Sequence, residues 1–398
     1  MAVDWSTDIP RELVLCFANR LMVSLEDFIA FGAVCKSWSS AAMEAKENYL
    51  ASISTSTSTG TITSTGLRLL AYQVPLLMLP VVLTLPRGVA GGDVTIGLYS
   101  LTAKGDKVYR RKLQDAKGKK CYSSLGWLVT VVTVSKELEF NLLHPFKHAI
   151  NIPLPNSLIK YHDGICKFVI SSSPSWTSDY VVMFHAYNTL EYCRPGLREN
   201  YWTKLSFPEY NYIRDLTYYR GQFYVVNSFG CVSVVCVCDI DDPKTLKAVA
   251  PKINQKELLG TRRPRIKQQY LVECAGALLL VLCLYSGKKY ESTTACRVFE
   301  VPFDNGKSWK DSEVKNLGNR AIFLSQSSSS FCIEVTDYSG CKANCIYFMN
   351  NKVVSSVVNI DLGIYNMGNA SIDREFGKSF NHGFKGWRGY HLWIQPSF

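Results

Sequence analysis

From Leu67 onward this chain of 398 residues is written almost entirely in short apolar runs of strand length, and that feature limits its fold more than any other. Gly126–Val134, Leu138–Leu143, Lys167–Ser171 and Tyr180–Ala186 are rich in β-branched and aromatic residues and are bounded by Gly, Pro, Asn or Ser. Ile213–Tyr219, Gln222–Asn227 and Cys231–Asp239, separated by Arg220-Gly221 and Ser228-Phe229-Gly230, read as a three-stranded meander. Tyr270–Cys274 and Ala277–Tyr285 form a hairpin about Ala275-Gly276, and Arg297–Pro302 runs into the turn Asp304-Asn305-Gly306. Ala321–Leu324, Phe331–Val335 and Cys345–Met349 complete the set, and only short pieces such as Gln255–Leu259 have a helical pattern. Many short strands joined by tight turns make a sandwich, a barrel or a propeller. The length selects the propeller, whose blades of about 40–50 residues absorb this many strands. A faint echo agrees: Leu125-Gly126-Trp127-Leu128, Arg220-Gly221-Gln222-Phe223 and Ala275-Gly276-Ala277-Leu278 each place Gly at a turn before an apolar strand, at irregular spacing.

The first fifty residues follow a different period. Pro10 suits the first turn of a helix, and Glu12 sits where a carboxylate favours the positive helix end. Leu13, Val14, Phe17 and Leu21 then recur at helical spacing. Ser24-Leu25-Glu26-Asp27 is a second helix start of capping-box type, and Phe28, Phe31, Val34, Cys35 and Trp38 continue it. Three short helices cannot bury this many aromatic and aliphatic side chains among themselves, so apolar surface remains for a partner. Ser52–Gly66, nearly all Ser, Thr and Gly, reads as a linker. The expected organisation is a helical unit over 1–50, a linker over 51–66 and a β domain over 67–398, an α+β multidomain chain.

Ile9-Pro10, Glu12-Leu13-Val14, Phe17, Leu21, Asp27-Phe28, Phe31 and Val34-Cys35-x-x-Trp38 resemble an F-box, the adaptor-docking motif of cullin–RING ubiquitin ligases, with Ile9 in place of the usual Leu and Gly32 in mid-pattern. The resemblance implies that Ile9, Pro10, Leu13, Val14, Phe17, Leu21, Phe28, Phe31, Val34, Cys35 and Trp38 bind a Skp-family adaptor. The remainder is similar to the plant F-box-associated domain of unknown function 295, described as a β-propeller. The similarity runs through Gln73–Pro80, Gly126–Val129, Asn141–Pro145, Ile152–Pro155, Ser171–Pro174, Asp215–Tyr224, Tyr270–Cys274 and Gly340–Phe348. That family often has Gly after the Pro of the Asn141–Pro145 block, where this chain has Phe146-Lys147-His148.

No catalytic signature is present: no G-x-S-x-G, no phosphate-binding G-x-x-x-x-G-K-[ST], no H-E-x-x-H. Cys341-x-x-x-Cys345 and Cys236-x-Cys238 lack a second pair at metal-site spacing, and the six His are scattered. No catalytic residue, cofactor or metal ligand is expected. The 14 Cys stand singly in strands, which reads as reduced, buried thiols rather than a disulfide framework. The N-terminus has no signal-peptide core, and the longest apolar runs, Val74–Leu85 and Ala277–Tyr285, are too short or Pro-broken to span a bilayer. Residues 1–50 hold four Lys and Arg against seven Asp and Glu, a net of −3, so the rest of a chain of net +11 carries +14. The basic runs Lys104–Lys120 and Arg262–Lys267 read as exposed loops, the second also as a nuclear-import candidate, and no nucleic-acid-binding pattern accompanies them.

Together these readings imply a non-catalytic target receptor of a Skp–cullin–F-box ubiquitin ligase, cytoplasmic or nuclear. Its partners would be a Skp adaptor (and through it cullin and RING protein) and an unidentified target. Two other readings stay open at the level of sequence: a scaffold that sequesters its partner without degradation, and a propeller sensor or enzyme with a helical cap. The last needs convergent polar residues on the propeller axis.

Overall fold

The computed structural model describes residues 9–22, 25–55, 75–79, 95–101, 107–135, 137–146, 150–157, 164–186, 189–196, 201–205, 212–229, 232–238, 246–260, 265–286, 292–303, 307–336, 339–354, 357–376 and 391–395. The Ser24 cap, residues 56–66 of the linker, residues 102–106 and Arg262–Pro264 lie outside that set. Among the described residues no helix is long and apolar enough to cross a membrane.

Three helices open the chain: α1 (Arg11–Leu21), α2 (Leu25–Gly32) and α3 (Lys36–Thr55). Pro10 stands one position before the first turn, as the N-cap with φ −55° and ψ 135°, and Glu12 lies within that turn. Val14 and Ala18 of α1 face Ala41, Ala42 and Ala45 of α3, small residues that allow close helix approach. Arg11 Nη2 and Glu44 Oε2, 2.7 Å apart, tie α1 to α3 at the surface. The third helix reaches Thr55, five residues into the expected linker of 51–66.

The β region is a six-bladed propeller. β1 (Leu76–Leu79), β2 (Thr95–Ser100) and β3 (Lys107–Lys112) belong to the first blade. The second holds β4 (Lys120–Ser124), β5 (Trp127–Val134), β6 (Glu137–Leu143) and β7 (Asn151–Ser157). The third holds β8 (Ile165–Ile170), β9 (Val182–Ala186), β10 (Thr189–Cys193) and β11 (Thr203–Leu205). The meander becomes the fourth: β12 (Tyr212–Tyr219), β13 (Gln222–Phe229), β14 (Val232–Cys238) and β15 (Leu246–Ala248), with β16 (Ile253–Asn254) also on β14. α4 (Gln255–Leu259) leads into the fifth, β17 (Arg265–Cys274), β18 (Ala277–Tyr285), β19 (Ala295–Glu300) and β20 (Glu313–Val314). The sixth contains β21 (Arg320–Ser325), β22 (Phe331–Glu334), β23 (Cys345–Val354), β24 (Val357–Asn366) and β25 (Ser371–Asp373). Its β21 and β23 run parallel, and β22 folds back inside β21. The last strand, β26 (Leu392–Ile394), pairs antiparallel with β1 and closes the ring between the two ends of the chain.

An apolar layer fills each seam between neighbouring blades. Leu278, Leu280, Leu282 and Leu284 of β18 point toward blade four, while Leu279, Val281 and Cys283 point toward blade six. Side chains alternate across a strand, and here both faces are buried, so β18 reads as an unbroken apolar run. The seam between blades one and two shares a single apolar cluster with the helices' Val14, Phe28 and Phe31. The repeated Gly also acquires its reason. Leu125-Gly126, Arg220-Gly221 and Ala275-Gly276 all have positive φ at both residues, as two-residue hairpins of type I′ demand.

The reading of the cysteines needs one correction. Cys274 on β17 and Cys332 on β22 form a disulfide between blades five and six, with Cα atoms 5.2 Å apart. The pair is 58 residues apart in sequence, and only the packing of two inner strands makes them neighbours. The other described cysteines are free, most of them buried. Titration of the denatured chain is therefore expected to count two thiols fewer without reductant than after reduction. A full count without reductant would refute the cross-link.

Candidate functional site

The eleven apolar positions of the helical unit divide by burial. Val14, Phe28 and Phe31 are at least nine-tenths buried and form the bundle's interior. Ile9, Leu21 and Trp38 pack half-buried against it, with the Trp38 ring stacked 4.6 Å from Phe31, and Cys35 is also half-buried. Pro10, Leu13, Phe17 and Val34 face outward; Leu13 is 51%, Phe17 45% and Val34 57% exposed. Leu13 and Phe17 are one helical turn apart and so share a face of α1. Met43 of α3 is also exposed, at 54%. An exposed Leu–Phe pair on a short, internally packed helix is apolar surface of the kind that docking interfaces cover.

The propeller axis holds the second constellation. β4, β8, β12, β17, β22 and β26 stand next to one another around it. The loop Ser325–Ser330, between β21 and β22, crosses from blade six toward blade two. Ser123 N donates to Ser327 O (3.0 Å), and Ser329 N donates to Ser123 O (2.8 Å). Ser329 Oγ lies 2.8 Å from Ser124 Oγ, and Ser124 Oγ accepts from Ile170 N (3.0 Å). Trp393 N donates to Ser328 Oγ (2.9 Å), and Ser123 Oγ donates to Trp393 O. One serine tract thus stitches blade six to blades one, two and three.

Beside the stitch, Lys167 of β8 is ion-paired with Asp215 of β12, and both are about 1% exposed. The Lys167 ammonium also lies 3.4 Å from Ser330 Oγ and 5.6 Å from the centre of the Tyr270 ring. The second Asp215 oxygen accepts from Leu271 N (2.7 Å), and Tyr270 donates its hydroxyl to Asn350. Burial pushes the Asp215 carboxyl up, while Lys167 and the backbone N–H groups of Leu271 and Leu216 pull it down. His185 stands opposite Lys167 in the β8–β9 register, and burial together with the Lys167 charge brings its pKa down to about 3. These groups are convergent polar residues of the kind a channel enzyme would need; most of them bond one another, while His185 Nδ1 and Asn350 Nδ2 stay buried with no hydrogen-bond partner among the described residues. Their arrangement fastens four blades together.

A pH dependence follows. The neutral His185 must gain a proton that the unfolded chain takes up near its ordinary pKa of about 6.5. Its contribution to stability is therefore full above that pH and is lost as pH falls toward about 3. His391, brought down to about 4 by burial, acts in the same sense. Glu273, lifted by burial to about 7 against the pull of Arg220, acts oppositely, gaining stability as pH falls through 7. The Asp215 and Glu191 carboxyls, also raised by burial, act in the same sense as Glu273, so the histidine share is read from a variant against wild type between pH 6 and 4.5. His185→Gln should flatten the slope by up to about 1.4 kcal/mol per pH unit.

Lys267, from the Arg262–Lys267 run, is not a free surface cation: it pairs with Asp361, which also holds Arg374 (2.7 Å) and the Thr293 hydroxyl (2.6 Å). Among the described residues no group of His, Cys, Asp and Glu is arranged to hold a metal ion. In sequence, Lys167 reads only as the first residue of a strand, the serine tract carries no motif, and Asp215 stands only within a family block. Lys167 is nonetheless the single charge inside the apolar run Ile165–Ile170, whereas Asp215 follows a second charge, Arg214, ahead of Leu216–Tyr219.

A family model described as the KIB1-4 beta-propeller matches residues 98–366. The F-box protein At2g26160 of Arabidopsis thaliana is 23% identical over 266 residues, covering 60% of this chain and 76% of that protein. Among solved structures, the β-propeller domain of Cps50 (Swd1) from Myceliophteria thermophila aligns with a TM-score of 0.35 at 12% identity, over 71% of this chain and 79% of that one. A structural-genomics protein of unknown function from Bacteroides thetaiotaomicron aligns with a TM-score of 0.29 at 13% identity. That alignment takes in 53% of this chain and 54% of the other, about half of each.

Proposed function

The chain belongs to the KIB1-4 beta-propeller family, and from that premise we propose that it is the target-recognition subunit of a Skp–cullin–F-box ubiquitin ligase, working in the cytoplasm or nucleus. The observation that carries this reading is the outward Leu13–Phe17 pair on a three-helix unit placed ahead of the propeller. The helices bind a Skp-type adaptor, and the adaptor joins the chain to cullin and RING protein. The propeller holds the target so that its lysines meet E2-bound ubiquitin. Catalysis by this chain is proximity: tethering raises the effective concentration of lysine and thioester, and no side chain of the receptor enters the reaction. The similarity to a protein named as an F-box protein supports the same reading.

Division of labour is part of the proposal: residues 1–50 engage the adaptor and residues 67–398 the target. Co-expression of the full chain with a Skp adaptor, followed by size-exclusion chromatography, tests the first half. A joint peak at one-to-one stoichiometry is the expected result, and separate elution overturns the reading. Target half-life with and without proteasome block then separates a degrading receptor from a sequestering scaffold.

A further inference from the structure

The rim between blades four and five carries an aromatic platform that the core does not require. Phe303, in the connection after β19, is 41% exposed. Its ring lies parallel to Tyr219 at 6.3 Å and edge-on to Tyr224 at 5.9 Å, and both tyrosines are buried beneath it. The platform is rigid. Tyr219 donates its hydroxyl to Gly276 O (2.7 Å), Arg220 Nη2 donates to the same oxygen (2.9 Å), and the Arg220 guanidinium lies 5.0 Å over the Tyr219 ring. Directly beside Phe303 is a cavity of about 210 Å³, bounded by Glu300–Phe303 on one side and Asp311–Val314 on the other.

Charge in this region is unevenly committed. Arg220 is held by Gly276 and Tyr219, and Arg297 is spent on Glu313 (2.6 Å) and Leu258 O (2.9 Å). Asp311 accepts from the Ser308 hydroxyl. Glu300, exposed at the cavity mouth, makes no ion pair with the described residues, and Glu273 is part-buried and feels the Arg220 charge. Lys307 on the far lip is the one cation of the lining. With Glu313 paired to Arg297, the lining keeps Glu300 and Asp311 against Lys307, two carboxylates against one ammonium, in a chain of net +11.

We propose that this rim is the target-docking surface, and that its occupant is a target segment carrying a large apolar side chain next to Lys or Arg. The apolar side chain covers Phe303 and enters the cavity. The cation faces Glu300 and Asp311, carboxylates of the lining with no ion-pair partner among the described residues. Aromatic residues on a fixed base, at the edge of a pocket and ringed by polar groups, are the usual anchors of protein interfaces. The inference rests on the receptor reading above and adds a place and a chemistry to it.

The test uses the full chain, co-purified with its adaptor, and two fluorescein-labelled octapeptides: Gly-Lys-Lys-Leu-Phe-Lys-Lys-Gly and its counterpart with Glu at every Lys. Fluorescence anisotropy should show saturable binding of the basic peptide and none of the acidic one. Phe303→Ala and Glu300→Lys should each weaken binding about tenfold, with adaptor co-purification unchanged. Equal binding of both peptides, or basic-peptide binding indifferent to both substitutions, overturns the proposal. So does a wild-type dimer in sedimentation that Phe303→Ala dissolves, since the occupant is then a second copy of this chain. Loss of the adaptor peak in the wild type, with peptide binding intact, condemns the receptor reading instead.

Discussion

Replacing Asp215 by Ala is expected to cost about 3–5 kcal/mol of folding stability, because it strands the Lys167 ammonium in a core where it is 1% exposed. The same change orphans the Leu271 and Leu216 N–H groups that Asp215 accepts from. A domain stable by about 5–15 kcal/mol loses a large share of its margin this way. Attraction between the two charges is not the main term. Desolvation of each ion offsets much of it, so an apolar pair of similar volume is tolerated far better than one unpaired charge. Lys167→Met combined with Asp215→Leu should therefore lie closer to wild type than Asp215→Ala alone. Urea midpoints for the three variants give the coupling directly. If Asp215→Ala stays within about 1 kcal/mol of wild type, the buried ion pair is not a fastening and the account of the axis fails.

The double substitution Leu13→Ala with Phe17→Ala should remove adaptor binding while leaving the fold intact. Interface anchors of this kind cost about 2 kcal/mol apiece when truncated, roughly thirtyfold each in affinity. The two side chains are neighbours on α1, so the combined loss need not be the product, but a hundredfold is a reasonable floor. Because both are about half exposed in the free chain, stability should move by no more than about 0.5 kcal/mol. Val14→Ala provides the contrast: Val14 is 1% exposed, so its loss loosens the bundle before it touches the interface. Calorimetric titration of each variant with purified Skp adaptor, alongside thermal melts, separates the two effects. Wild-type affinity in the double variant would remove Leu13 and Phe17 from the docking surface.

The helical unit shows why a site can be half legible. The spacing of Leu13, Val14, Phe17 and Leu21 announces one apolar stripe, and all four lie on α1. Spacing does not say which flank of a broad stripe faces α3. That depends on Ala41, Ala42 and Ala45, which let α3 close on Val14 and leave Leu13 and Phe17 outside. In the same way β18 was readable as a strand from Ala277–Tyr285 alone, but its unbroken apolar pattern concealed which side chains meet blade four and which meet blade six.

By itself, the sequence determined the elements whose cause is local. The helical period before the Ser/Thr tract, the strand runs after it, and the Gly-bearing hairpins at Gly126, Gly221 and Gly276 all depend on residues within a few positions of one another. It also pointed to a propeller, through strand number and length. Only the tertiary structure decided the six blades, the closing of the ring by Leu392–Ile394 on β1, the disulfide Cys274–Cys332, and the polar axis. Each of these joins groups far apart in the chain: Ser123 meets Trp393 across 270 residues, and Ser330 meets Lys167 across 163. Taken singly, Ser123 and Ser330 carry no local trace of such a partner, and the lone charge of Lys167 in an apolar run does not say which group satisfies it. A buried charge or hydroxyl becomes favourable only once the fold brings up the group that satisfies it, and that partner is chosen by the closure of the ring.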